Sequence, residues 1–127
     1  MIIGIGTDLI HISRIDAALS KSGRRFAERI LHPDEMQAFD NKNTEKQRIA
    51  FLAKRFAAKE ALSKALKTGI GKVSWHSMLV QNDAKGAPNV VFFDEALRLY
   101  NVAGATSIHL SLSDERDLAL AFAVISA

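Results

Sequence analysis

The chain contains no cysteine. That absence excludes a disulfide framework, a thiolate metal site and a cysteine nucleophile. No apolar run approaches the ~20 residues needed to span a bilayer. The amino terminus has no basic segment followed by a long apolar stretch, so no signal peptide is expected. Internal repeats, low-complexity tracts and linkers are also missing. Charge of one sign is scarce: the net value of +3 permits an acidic partner or a phosphate-rich ligand but gives little support to nucleic-acid binding. The expectation is a soluble cytoplasmic protein with neither a membrane nor a nucleic-acid partner.

What is present fits one domain over residues 1–127, with enough apolar content for a packed core. Residues 2 to 9 alternate as a strand does. Ile3, Ile5, Thr7 and Leu9 point one way; Gly4, Gly6 and Asp8 point the other. Glycine inside a strand marks close approach of a ligand or another backbone. The pattern predicts helices over Ser13 to about Ser22, Arg24 to Ile30, and His32-Pro33-Asp34-Glu35 to about Asp40, the last with proline and acids in its first turn. Thr44 followed by Gln47 matches a capping box and opens a long helix to about Lys67, ended by the glycine-rich Thr68-Gly69-Ile70-Gly71. Strands are expected at 74–82 and 89–93, a helix capped by Asp94 to about Val102, and a closing hairpin with Ile108, Leu110 and Leu112 in one arm and Leu118 to Ile125 in the other. Together these give an α+β fold: a small, mainly antiparallel sheet packed with a long central helix.

Two acids stand against this pattern. Glu60 falls on or beside the buried stripe of the long helix, four residues after Phe56 and eight after Leu52. Asp8 closes the glycine face of the first strand. Magnesium prefers oxygen and is commonly held by one or two carboxylates plus phosphates and water, which suits this pair. The same pattern also permits Asp8 to cap a turn and Glu60 to pair with Lys64 along the helix. Lys59, Lys64 and the Gly69-Ile70-Gly71 turn suit a neighbouring pyrophosphate, although the stretch is not a P-loop. His109, Ser111 and Ser113 with Asp114 do not make a hydrolase triad, because alternate residues of one strand fan out along a line. His11 and His32 are expected at the surface or an interface. Trp75 and the phenylalanines belong to the core, since no basic–aromatic interleaving is present.

Several blocks resemble one family. They are Ile3-Gly4-Ile5-Gly6-Thr7-Asp8-Leu9, Arg25-Phe26-Ala27-Glu28-Arg29-Ile30-Leu31, Phe51 through Ala65, Gly69-Ile70-Gly71, and His109-Leu110-Ser111-Leu112-Ser113. In order and spacing they are similar to the bacterial holo-[acyl-carrier-protein] synthases, the short trimeric class of 4′-phosphopantetheinyl transferases. The resemblance covers essentially the whole chain. It implies the fold of that family and transfer of the phosphopantetheine arm of coenzyme A to a serine of apo acyl carrier protein, with release of adenosine 3′,5′-bisphosphate. A fatty-acid-synthesis carrier is the default acceptor. Asp8 and Glu60 fall on the family's magnesium-ligand positions, and Lys64 near the phosphates. Arg55, Lys64, Gly69, Gly71 and His109 would serve the coenzyme A side. Asp8, Glu60 and Lys64 form the catalytic set, and Glu60, or a metal-bound water it orients, is the candidate base. Arg14, Lys21, Arg24, Arg25 and Arg29 would dock the acidic carrier. A homotrimer with active sites between subunits is implied, and the bare face of Gly4, Gly6 and Asp8 fits it. Some members carry histidine where this chain has Asp114, so a mechanism relying on that histidine does not transfer.

Two other functions compete. A non-catalytic basic module binding nucleic acid or an acidic partner explains the charge but not Asp8 and Glu60. A magnesium-dependent phosphohydrolase would use the same acids with water as nucleophile.

Overall fold

A computed structural model describes all 127 residues. Its centre is a helix–strand pair joined by small residues. Strand β1 (Ile2–His11) lies along helix α4 (Glu45–Ala65). A Cβ on Gly4 would stand 1.9 Å from the Ala65 carbonyl oxygen, and one on Gly6 would stand 2.0 Å from that of Ala61. Only glycine permits that approach. Gly4 and Gly6 are therefore covered by the chain's own helix, the backbone approach that the sequence allowed, while Asp8 at the end of that face stays partly exposed; the two glycines are not open to another subunit. It is the greasy face that is uncovered: Ile5 and Leu9 are both about 60% exposed.

The main sheet has the order β1-β5-β4, both pairs antiparallel. Strands β4 (Ser107–Glu115) and β5 (Leu118–Ser126) are the expected hairpin. The helix-facing side of β5 is Ala119, Ala121 and Ala123, all fully buried, and Ala57, Ala61 and Ala65 of α4 are buried as well. Small residues on both elements let α4 sit low on the sheet. The outer side carries Leu118, Leu120 and Phe122 beside Ile5 and Leu9, all exposed.

Helices α1 (Ile12–Ser22), α2 (Arg24–Ile30) and α3 (Pro33–Asp40) follow β1 closely as expected. The start of α1 has no cap from its own preceding residue. Asp117, in the β4–β5 turn, supplies one: its carboxylate accepts from the Ser13 amide at 2.8 Å and from Ser13 Oγ at 3.1 Å. Those bonds hold the Asp117 carboxyl below the usual range. The α3 cap is His32, which is partly exposed: its Nδ1 accepts from the Asp34 amide while Glu35 returns to the His32 amide, completing a capping box. Thr44 and Gln47 form the second box at the start of α4.

The carboxyl end differs from expectation. Helix α4 stops at Ala65, and the left-handed position after it is Lys67 (φ 62°), not a glycine. Gly69 and Gly71 take their positive φ values further on. Residues 75–77 form a 3₁₀ turn, not strand, before β2 (Met78–Asn82), which pairs with β3 (Pro88–Phe92) as a separate hairpin. Helix α5 (Asp94–Val102) starts without a side-chain cap, and Asp94 is itself its first residue, at φ 50°.

Candidate functional site

The low seat of α4 brings Asp8, Glu60 and Lys64 together. Glycine at 4 and 6 keeps β1 against the helix, and the next inward position of the strand is Asp8, half-buried at its edge. Lys64 Nζ donates to the Thr7 carbonyl at 2.8 Å and lies 3.4 Å from Asp8 Oδ1. Glu60 is one turn before Lys64 on the same flank. Its carboxyl is raised above the usual range, first by desolvation, then by the negative charge of Asp8, with Lys64 acting in the opposite direction. Two carboxylates close enough to oppose each other's ionisation, only partly offset by one lysine, suit a hard divalent cation. The donors are all oxygens, and two from protein leave room for phosphate and water. The helical Glu60–Lys64 ion pair allowed by the sequence does not form: Lys64 turns to Asp8 and the Thr7 carbonyl, and acts on Glu60 only as a nearby charge.

Lys59 is not part of it. Its side chain is fully buried, and Nζ donates to Glu35 Oε1 at 2.5 Å, to the Ile30 carbonyl at 2.7 Å and to the Trp75 carbonyl at 3.1 Å. Glu35 Oε2 accepts from the Val80 amide at 3.0 Å. Burial presses the Lys59 pKa down, and Glu35 pushes it back up. This network ties α2, α3, the 3₁₀ turn and β2 to α4. The sequence reading placed Lys59 beside a pyrophosphate and did not foresee its partner. A signal existed: Leu52, Arg55, Lys59 and Leu62 share one heptad-like stripe, so Lys59 lies on the buried line. Lys59→Met removes the closest cation from buried Glu35 and leaves it only the longer Arg55 contact at 3.7 Å. It should cost about 3–5 kcal/mol, read as a lower urea midpoint; Glu35→Gln combined with Lys59→Met should recover much of that loss.

Arg55 lies five residues before Glu60, roughly 140° round the helix axis. It is 4% exposed, its guanidinium rests 4.5 Å over the Phe51 ring, and Glu35 Oε2 is 3.7 Å from Nε. That Nε is buried without a hydrogen-bond partner. Arg55 lines a cavity of about 480 Å³ that also includes Lys42, Lys54, Asn82 and Asp114, and excludes Asp8, Glu60 and Lys64. Within one chain the cationic cavity and the carboxylate cluster are separate.

His109 is exposed on the outer side of the sheet with Ser111 and Ser113, and Ser126 Oγ is its nearest polar neighbour at 3.4 Å. It is on the opposite face from Asp8. Asp114 turns inward and pairs with Lys54 at 3.3 Å. The Gly69–Gly71 turn borders an apolar hollow with Ile70, Val73, Trp75 and Arg29. Arg14, Lys21, Arg24, Arg25 and Arg29 are all exposed along α1 and α2. Arg24 is engaged by Asp40 through two bonds of 2.6 and 2.8 Å, which leaves the other four freer to meet a partner.

The fold thus sets two carboxylates and a lysine at a helix–strand junction, with a separate cationic cavity. The chain belongs to the 4′-phosphopantetheinyl transferase superfamily, whose family model matches residues 4–123. It is 50% identical over 121 residues to the holo-[acyl-carrier-protein] synthase of Sodalis glossinidius, covering 94% of each chain. Among solved structures it superposes on the holo-[acyl-carrier-protein] synthase of Neisseria meningitidis with a TM-score of 0.91 and 41% identity over the full length of both. The Bacillus anthracis enzyme in complex with CoA (3′,5′-ADP) is 39% identical with a TM-score of 0.83, covering 100% of this chain and 99% of that one. No helix is long and apolar enough to cross a membrane.

Proposed function

We propose that this chain, one transferase domain, moves the 4′-phosphopantetheine arm of coenzyme A onto a serine hydroxyl of apo acyl carrier protein. The observation that carries the site assignment is the cluster of Asp8, Glu60 and Lys64: Lys64 Nζ lies 3.4 Å from Asp8 Oδ1, and Asp8 and Glu60 oppose each other's ionisation. Asp8 and Glu60 would hold magnesium, which when bound neutralises the pyrophosphate. Lys64, braced by the Thr7 carbonyl, orients a phosphate oxygen. Glu60, or a water it orients, would accept the serine proton. The serine Oγ–phosphorus bond forms as the bridging phosphorus–oxygen bond breaks, and adenosine 3′,5′-bisphosphate leaves with that oxygen.

The cavity holding Arg55 suits the nucleotide half: it offers three cations and a buried guanidinium nitrogen with no partner. Its separation from the carboxylate cluster favours an active site built from two copies. The apolar outer face with Ile5, Leu9, Leu120 and Phe122 is the surface on which copies would meet, as a homotrimer with His109 brought to the joint. Sedimentation equilibrium should return the mass of three chains; a monomer with full activity would contradict the shared site. The cytoplasm is the expected compartment.

The exposed Arg14, Lys21, Arg25 and Arg29 would guide the acidic carrier. Arg14→Glu should raise KM for the carrier about tenfold and leave KM for coenzyme A unchanged. Intact-mass analysis of apo carrier with the enzyme, coenzyme A and magnesium tests the reaction itself. A gain of one phosphopantetheine, lost in EDTA, is expected; no gain with several carriers would sink the assignment. Turnover of coenzyme A without carrier would point to a phosphohydrolase instead.

A further inference from the structure

The cavity that holds Arg55 carries one residue that does not belong in a simple anion site. Lys42, Lys54 and Arg55 line it, and so does Asp114. Two of the cations are braced on the same ring: Lys42 Nζ is 5.1 Å and the Arg55 guanidinium 4.5 Å from the centre of Phe51. The third, Lys54, is held by Asp114 Oδ1 at 3.3 Å. Both side chains of that pair are partly exposed, so it is accessible from the cavity.

We propose that Asp114 sets which anions this cavity accepts, favouring a nucleotide over a bare pyrophosphate. The inference rests on the reading of the cavity as the nucleotide half of the site. An anion that enters must take Lys54 from Asp114 and then lie beside an ionised carboxylate. Pyrophosphate, in its ionised form, presents little but acceptor oxygens, so every contact with Asp114 is repulsive. Adenosine 3′,5′-bisphosphate brings a ribose hydroxyl and an adenine amino group, and an ionised carboxylate is an acceptor that both can donate to. The same side chain therefore penalises the compact anion and accepts the nucleotide, which is discrimination by a built-in repulsion as well as by an attraction. It also keeps Lys54 in place when no ligand is bound.

Isothermal titration of the intact protein tests this, with inorganic pyrophosphate and with adenosine 3′,5′-bisphosphate, at fixed ionic strength and in EDTA so that neither is offered as a metal complex. Asp114→Asn should tighten pyrophosphate binding about three- to tenfold, the effect of removing one like charge from a partly exposed site. Bisphosphate binding should change less than about twofold or weaken, because Asn keeps shape but loses the charged acceptor. In a Lys54→Met background the same Asp114→Asn change should still tighten pyrophosphate, because the like charge is removed there too, with only the part due to releasing Lys54 lost. Equal tightening of both ligands, no tightening of pyrophosphate, or no detectable pyrophosphate binding by parent and variant alike would each overturn the proposal. Arg55→Met separates the two levels of inference. If it weakens both ligands while Asp114→Asn does nothing, only the role of Asp114 falls. If it changes neither, the nucleotide reading of the cavity falls as well.

Discussion

Glu60→Gln should reduce phosphopantetheine transfer at least about a hundredfold and, without metal, leave the protein more stable at neutral pH than the parent. The two effects have one origin. Desolvation and the charge of Asp8 raise the Glu60 carboxyl above its usual range. The folded chain therefore holds that proton more tightly than the unfolded chain does. The stabilising contribution is complete below the unfolded carboxylate value and is lost as pH rises through the raised folded value. Above that point an ionised Glu60 faces Asp8 with only Lys64 to offset it. Glutamine carries no such cost, so the gap between variant and parent should open with rising pH across that window and then level off. Magnesium should reverse the order, because it stabilises only the chain that binds it. Thermal unfolding in EDTA and in magnesium, from acid to neutral pH, measures both. A variant that is less stable than the parent at neutral pH in EDTA would contradict the opposition of Asp8 and Glu60.

The second large effect comes from a residue with no side chain. Gly6→Ala puts a Cβ about where the Ala61 carbonyl oxygen lies, 2.0 Å away. The obstacle is helix backbone, so no rotamer relieves it; β1 and α4 must part. Overpacking usually costs about 1–3 kcal/mol, and a backbone clash this close should reach the top of that range or exceed it. Activity should fall with it, because the same separation moves Asp8 away from Glu60. Gly69→Ala is the contrast. It meets no atom within 4 Å and suffers only from its positive φ of 87°, a cost of about 1–2 kcal/mol. Urea unfolding of the two variants, with transfer activity measured beside it, should show the ordering; a Gly6→Ala protein as stable as Gly69→Ala would refute the packing account.

These two residues also mark how much the sequence disclosed. Asp8 and Glu60 were legible because each is a carboxylate where the local period calls for something apolar, and a functional exception shows against a regular background. The helices and the final hairpin were legible for the same reason in reverse: proline and acids after His32, the capping box at Thr44 and clean alternation after Ser107 are local signals. The covering of Gly4 and Gly6 was not. Alternation divides a strand into two faces but cannot say which one another element will cover, and that element begins some forty residues later. The alanines at 57, 61 and 65 and at 119, 121 and 123 carried the missing half of the pattern. Glu35 and Lys59 were hidden more deeply. Each looks like an ordinary helix-surface charge until the fold places them 2.5 Å apart in the core. Arg55 and His109 were found as residues, but their distance from the carboxylates becomes visible only in three dimensions.

The central claim is that Asp8 and Glu60 form one divalent-metal centre. Manganese titration followed by electron paramagnetic resonance tests it without relying on turnover. The account predicts one bound ion per chain in the parent, competed by magnesium, with binding weakened at least about tenfold in both Asp8→Asn and Glu60→Gln. Unchanged manganese affinity in either well-folded variant would contradict it.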